Sequence, residues 1–350
     1  MSITEITEKA KDSKEINREE VLELLSVKDE SDVSDLFSAA SDVRDRVFGK
    51  KVFIYGFVYF STHCRNNCAF CYYRRTNELP RYRKKADEVL MLSGSLRDAG
   101  INLVDLTMGE DPVMRANDYS ELLDIIRRVK NEIDISVMAS PGAVPEASFK
   151  KFTDAGTDWF ACYQETYNRE LFSRLRLEQD FDERLNQKIW AKKAGLLTED
   201  GIMVGLGETL ADRADSIIKM GSLGCQQIRA MTFVPQKGTP MERIRPTEPI
   251  DELISIAVMR LLYPDKLIPA SLDVEGIAGL KTRLDAGANV ITSIVPPNED
   301  LAGVAQHELD IENGRRSVAH VMHMLDEMGK KAATKTEYES LLKKLKEENR

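Results

Sequence analysis

A (β/α)8 barrel preceded by a helical extension is what this sequence predicts, and three observations predict it. From Lys51 onward, short apolar runs alternate with amphipathic, helix-like segments. Eight such runs can be counted over about 240 residues, the size of a TIM barrel. A punctuation mark also recurs, in "RDAGINLVDLTM", "TDAGTDWFACY", "KKAGLLTEDGIMVGL", "SLGCQQIRAMTFV" and "LDAGANVITSIV". Each closes a helix-like segment on a glycine (Gly100, Gly156, Gly195, Gly224, Gly287) and then enters a strand-like run. Glycine suits that point because the residue after a helix often takes a left-handed backbone, which is costly for a residue carrying Cβ.

The elements follow in order. Residues 1–50 are highly charged, with apolar residues at helical spacing in "REEVLELLSVKDESDVSDLFSAASDVRDRVFG", and predict a helical cap of a few short helices. Residues 51–330 form the barrel: "KVFIYGFVYFS", "EIDISVMAS" and "KLIPASLDV" join the five glycine-marked runs to give eight strands. Residues 331–350, "KAATKTEYESLLKKLKEENR", read as a solvated charged helix or tail without chemistry. A doubly wound open sheet is the competing architecture. "VGLGETL" gives it little support, because Leu210 stands where a dinucleotide fingerprint needs its third glycine.

Composition narrows the functions. The net charge of -9, with both signs interspersed, provides no basic stripe for nucleic acid. No run approaches the ~20 apolar residues of a membrane span, and the amino terminus lacks the layout of a signal peptide, so the expected location is the cytoplasm. Thiols stay reduced there, and clustered cysteines bind metal or do chemistry rather than form disulfides.

Barrel active sites gather at the carboxyl ends of the strands. "HCRNNCAFCYYRR" begins at such a place and holds Cys64, Cys68 and Cys71 in a C-x3-C-x2-C spacing. A structural zinc site wants four protein ligands, and only His63 or the distant Cys162 and Cys225 could complete one. Three thiolates suit a 4Fe-4S cluster whose fourth iron is left for another ligand. Other strand ends carry Gly109-Glu110-Asp111, Glu165, Gly205-Leu206-Gly207-Glu208 and Asp273.

The cysteine loop, with Phe70 just before its third cysteine, resembles the cluster motif of the radical S-adenosylmethionine (SAM) superfamily. That resemblance implies a 4Fe-4S cluster on the three cysteines, SAM chelated to the open iron, and an external electron donor that drives cleavage to a 5'-deoxyadenosyl radical. "DLTMGED" is similar to the family's Gly-Glu segment beside the SAM amino group, implicating Gly109 and Glu110. "YQETYNRELFSRLRLEQDFDERLNQKIWAKKAG" resembles the segment whose glutamate and later arginine hold SAM, which map onto Glu165 and Arg184; otherwise these would be an ion pair on a solvated helix. "GIMVGLGET" and "TFVPQKGTPM" resemble the adenine-side motifs of the fifth and sixth strands, implicating Gly205, Thr232 and Val234. Biotin synthase would need ligands for a second cluster; Cys162 and Cys225 read instead as buried core residues.

Strand alternation places Asp105 with Thr107, Arg229 with Met231, and Ser271 with Asp273 on inward faces. A charge inside a barrel must be paired or must meet a ligand. One arginine and two aspartates suit a substrate with a carboxylate and two ammonium groups, such as lysine, unless they form an internal salt-bridge network. "NLVDLTMGED" and "PASLDVEGIAGLKTRLDAGANVITSIVPP" resemble the lysine mutases that open pyrrolysine biosynthesis, which rearrange L-lysine into (3R)-3-methyl-D-ornithine. With that resemblance, Asp105, Arg229, Ser271 and Asp273 are the expected substrate-binding residues; the expected oligomeric state is a monomer. The alternatives are another radical SAM enzyme acting on an amino acid, of the biotin synthase or hydrogenase-maturase type, and a non-catalytic iron-sulfur or zinc protein. Anaerobic purification and metal analysis should give about four irons per chain; one zinc would refute the cluster.

Overall fold

The structure, a computed structural model, describes residues 1–297, 299, 301–303 and 315–349. Eight parallel strands surround one interior: β1 Lys51–Ser61, β2 Leu103–Met108, β3 Ser136–Ser140, β4 Trp159–Ala161, β5 Leu197–Val204, β6 Gln227–Thr232, β7 Pro269–Ser271 and β8 Val290–Ile294. They run in the order β6-β5-β4-β3-β2-β1-β8-β7, with helices between successive strands. This is the (β/α)8 barrel that the alternation predicts. All five punctuating glycines take the left-handed backbone, with φ from +74° at Gly224 to +105° at Gly287.

Closure between β6 and β7 is partial. Ile228 N–H donates to Leu267 O and Leu267 N–H to Gln226 O, each at 3.0 Å, at the amino end of the pair. Among the described residues no ladder continues from there to the carboxyl ends. The barrel is therefore sealed at its base and parted along this seam at its mouth.

The amino-terminal segment forms three helices, Ile3–Lys11, Arg18–Leu25 and Glu30–Phe48. The first two start on capping boxes, Ser2 with Glu5 and Asn17 with Glu20, which satisfy N–H groups that a helix start leaves open. They pack sideways onto the barrel's outer helices Leu210–Ser222, Ile250–Leu262 and Leu280–Asp285. This explains why helix Ile250–Leu262 is buried on nearly every face: it lies between the barrel and the extension.

The last segment is a helix, one of the two forms its charge predicts, but it is not merely solvated. Lys331–Ala332 forms β9, which pairs with the start of β1, and helix Lys335–Glu348 then lies across the barrel base. Tyr338 on that helix is buried; its hydroxyl accepts from Trp159 Nε1 at 3.0 Å, and its ring packs edge-on against Tyr55. Charge hides this in the sequence: Tyr338, Leu341, Leu342 and Leu345 make the inward face of an otherwise polar helix. Among the described residues, no helix is long and apolar enough to cross a membrane. Tyr338→Ala should lower stability by about 3–5 kcal/mol, as truncation of large buried aromatics does, measured by denaturant titration, while iron content is unchanged.

Candidate active site

The cysteine loop leaves β1 and wanders without regular structure, so its backbone groups need partners from elsewhere. Arg81 supplies several, its guanidinium donating to the carbonyls of Thr62, Tyr73, Arg74 and Asn77. Asn77 Nδ2 donates to Tyr72 O and Lys237 O at 2.9 and 3.0 Å, tying the loop to the segment after β6. The loop's far end is held by Asp111, a fully buried carboxylate gripped by both Arg83 Nε and Nη2 at 2.7 Å and by Ser61 Oγ at 2.7 Å.

Cys64, Cys68 and Cys71 all line one cavity at the mouth. No three described His, Cys, Asp or Glu side chains converge on one point, as a single ion requires, whereas the thiolates of a multi-iron cluster each reach a different iron. Donors already aim at the sulfurs: Asn66 N–H at Cys64 Sγ (3.4 Å), and Gln179 Nε2 and Arg176 Nη1 at Cys68 Sγ (3.0 and 3.6 Å). Burial pushes the Cys64 thiol up to about 11 and the Cys71 thiol higher still, so the bound metal must supply the driving force for deprotonation. These donors and this deprotonation fit an iron-sulfur cluster, with Cys68 and Phe70 set in an apolar wall of Leu171, Leu175, Leu206 and Phe233. Gly109 permits the loop to sit so close to β2, because a Cβ there would lie 2.4 Å from His63 O.

Above the barrel, carboxylates and guanidiniums alternate. Glu110 accepts from Ala143 N–H (3.0 Å), Arg184 Nη1 (3.1 Å) and Arg65 Nε (3.2 Å). Burial alone would raise its carboxyl; Arg184 and these donors outweigh burial and hold it below the usual range. Gly142 makes room for it, since a Cβ there would meet Glu110 Cγ at 2.1 Å. Glu165 takes a left-handed backbone, φ +68°, and accepts from Arg176 Nη2 at 2.6 Å. A non-glycine residue in that conformation stores about 1 kcal/mol or more and marks a position the fold holds in place. Arg184 Nε donates to Tyr163 O at 2.6 Å. Glu165 and Arg184 are thus both buried rather than solvated, and each has its own partner. Arg176 is the functional candidate the sequence reading overlooked, because "SRLRLEQDF" reads as a charged solvated turn.

Deeper in, the inward aspartates and arginine stand where strand alternation put them. Asp105 accepts from Ser140 Oγ at 2.7 Å, and burial pushes its carboxyl up to about 7. Arg229 does not pair with either predicted aspartate: its Nε meets Glu199 Oε1 at 2.8 Å, both residues being buried, and its guanidinium lies 5.2 Å from the Tyr163 ring. Arg229 Nη2 and Glu199 Oε2 are left without a protein partner. Asp273 accepts from Ser293 Oγ (2.6 Å) and Tyr59 OH (3.0 Å) and pairs with Arg316 Nη2 at 2.7 Å. Burial opposes its ionisation, but Arg316 and the hydroxyls hold the carboxyl below its usual value. Ser293 itself has φ +64° within β8.

Glu199 and Arg316 are further residues absent from the sequence reading. Glu199 followed from the same alternation as Arg229, but it stood early in its strand; Arg316 lies outside every strand run. Thr232 and Val234 line the cavity as expected. Gly205 (φ +95°) sits beside Thr247 instead, and Ser271 stands behind Asp273, 3.3 Å from its Oδ2. Cys225 is core, whereas Cys162, though buried, borders the cavity.

A parallel barrel with three thiolates at its mouth and paired charges within defines a radical SAM enzyme, and residues 58–219 match the Radical SAM superfamily. The chain is 43% identical to the 3-methylornithine synthase of Methanosarcina barkeri over 91% of each chain. It is 32% identical to the FeFe-hydrogenase maturase subunit HydE of Thermotoga maritima over 83% of each. A crystal structure of methylornithine synthase superposes with a TM-score of 0.91 at 40% identity, covering 96% of this chain and 99% of that one. The chain therefore belongs to the 3-methylornithine synthase family of the radical SAM superfamily, and its cofactors are a 4Fe-4S cluster and SAM.

Asp105 gives a pH signature. Its folded pKa lies above the unfolded value, so its proton stabilises the folded state at low pH, and that contribution is lost as pH rises toward 7. Asp105→Asn, compared with the unsubstituted protein by denaturant titration, should gain relative stability from pH 5 to pH 7, by at most about 1.4 kcal/mol per unit. A constant difference would show Asp105 ionised throughout.

Proposed function

We propose that this chain is a radical SAM lysine mutase that converts L-lysine to (3R)-3-methyl-D-ornithine, the opening step of pyrrolysine biosynthesis, in a cytoplasm where its thiols stay reduced. The observation that carries the substrate is the charge balance of the barrel floor. Asp105, Glu199 and Asp273 all lie within electrostatic reach of Arg229, and Asp273 also pairs with Arg316 from behind, three carboxylates against two guanidiniums, a net of -1 when all are ionised. Lysine, with two ammonium groups and one carboxylate, carries the complementary +1.

Individual roles follow from the partners each group lacks or keeps. Arg229 has Glu199 fixing one edge of its guanidinium and an unpartnered Nη2, the donor suited to the substrate carboxylate. Asp273, supported by Ser271, takes the amino-acid ammonium. Asp105 takes the terminal ammonium; with a carboxyl near 7, it yields its proton when a cation arrives. Cys64, Cys68 and Cys71 hold the cluster. Phe70, Gly109, Glu110, Glu165, Arg184, Thr232 and Val234 form the SAM side, to which we add Arg176, Gly205 standing outside the cavity lining, and an external donor provides the electron.

Cluster and SAM together supply the 5'-deoxyadenosyl radical that takes a hydrogen from the lysine side chain. The protein's own task is confinement. Isomerisation breaks one carbon–carbon bond and makes another, so both pieces of substrate must be kept apart from water and close to each other. Charged anchors at opposite ends of a closed interior do this by holding the reacting carbons in near-attack geometry.

Reconstituted enzyme given SAM, reductant and labelled lysine should yield labelled methylornithine by mass spectrometry. Deoxyadenosine accumulating while lysine stays unchanged would favour another substrate of the superfamily. Asp273→Ala should reduce turnover at least a hundredfold while leaving the cluster's absorption intact, since truncating one partner of a buried charge contact with a ligand costs about 3 kcal/mol or more of binding. Loss of the cluster would make Asp273 structural.

A further inference from the structure

We propose that the buried Glu252–Arg283 pair is a positioning strut for the reaction, bridging the barrel seam where the β6–β7 ladder stops and setting the spacing between the SAM side and the substrate side. This rests on the functional reading above.

The two strands that part at the mouth carry different halves of the site. β6 leads into Thr232 and Val234 on the SAM side; β7 leads into Asp273 and Val274 on the substrate side. In a closed ladder the N–H of Thr232 would bond to the neighbouring strand. Here it donates to Glu252 Oε2 at 2.8 Å, and the Thr232 hydroxyl donates to the same oxygen at 2.7 Å. A side chain from the helix after β6 has thus taken the place of a strand.

The other end of the strut belongs to β7. Arg283, on the helix that follows it, donates Nε to Glu252 Oε1 at 2.6 Å and Nη2 to Glu252 Oε2 at 3.1 Å. Its Nη1 reaches Glu275 Oε2 at 2.8 Å and Gly279 O at 3.0 Å, holding the turn that begins at Asp273. Glu252 and Arg283 are both wholly buried. The packing reserves room for them: a Cβ on Gly279 would lie 2.1 Å from Arg283 Nη1.

Stability alone does not call for such a pair. Two ions taken out of water gain little over well-packed apolar side chains of similar size, and replacing them together is often neutral or stabilising. What an apolar pair cannot do is hold the Thr232 N–H and the Glu275–Gly279 turn at fixed separation, because dispersion contacts have no direction. If the spacing loosens, the radical forms out of register with its target hydrogen, and deoxyadenosine is made without product.

The test compares Glu252→Gln with the double substitution Glu252→Leu/Arg283→Met. The double variant leaves the Thr232 N–H and hydroxyl and the Gly279 carbonyl without these partners, so it should melt lower, yet still fold and bind the same iron, and make at least threefold more 5'-deoxyadenosine per methylornithine. Glu252→Gln should show the same uncoupling and weaken SAM binding at least threefold by equilibrium dialysis. A double variant as coupled as the unsubstituted enzyme would overturn the proposal, and so would activity lost only in proportion to unfolded protein. If the unsubstituted enzyme makes no methylornithine, the substrate reading fails instead. SAM affinity then decides the strut: a threefold loss in Glu252→Gln supports it and an unchanged affinity refutes it.

Discussion

Carrying charge into the interior of a parallel barrel is the constraint from which the rest of this structure follows. These groups are largely removed from bulk water, and five buried guanidiniums are each matched to a carboxylate: Arg176 with Glu165, Arg184 with Glu110, Arg229 with Glu199, Arg283 with Glu252 and Arg316 with Asp273. The pairs form tiers, the first two beside the cysteine loop and the Arg229 and Arg316 pairs at the floor. Each tier leaves donors or acceptors for a charged ligand, and a ligand must bring complementary charge to be admitted.

Matching has a geometric cost that the backbone bears. Glu165 sits in a left-handed conformation, and the serine that donates to Asp273 does as well, although neither position carries glycine. Ser293 lies within β8, and Glu165, past the end of β4, still pairs with β5 through Glu165 N–H to Gly201 O (3.0 Å) and Met203 N–H to Glu165 O (3.1 Å). Strain is tolerated there because the surrounding hydrogen bonds over-determine the conformation. The carboxyl ends of β6 and β7 are unladdered on the edges that face each other, which leaves side chains to complete what the backbone does not.

Much of this was legible from the chain alone, for identifiable reasons. Strand alternation is rigid, so Asp105, Arg229 and Asp273 could be placed inward from their neighbours. The left-handed glycines after helices marked the βα rhythm because few other residues tolerate that backbone. Partnership was not legible. Arg176, Glu199 and Arg316 meet their partners from other segments, and Arg176 in particular looks like one more charge in a polar run. A solvated face and a buried ion pair read alike until the fold brings their opposite charges together.

The plug at the barrel base carries a consequence for how the chain is made. Tyr338 completes the packing around Trp159, whose indole N–H has its partner 179 residues further along. A ribosome delivers the first strands long before that tyrosine, at roughly 5–20 residues per second. During synthesis the base of the barrel therefore stays unsealed, with aromatic surface from β1 and β4 exposed, until the final helix emerges. A nascent chain in this state is where a chaperone would find something to hold.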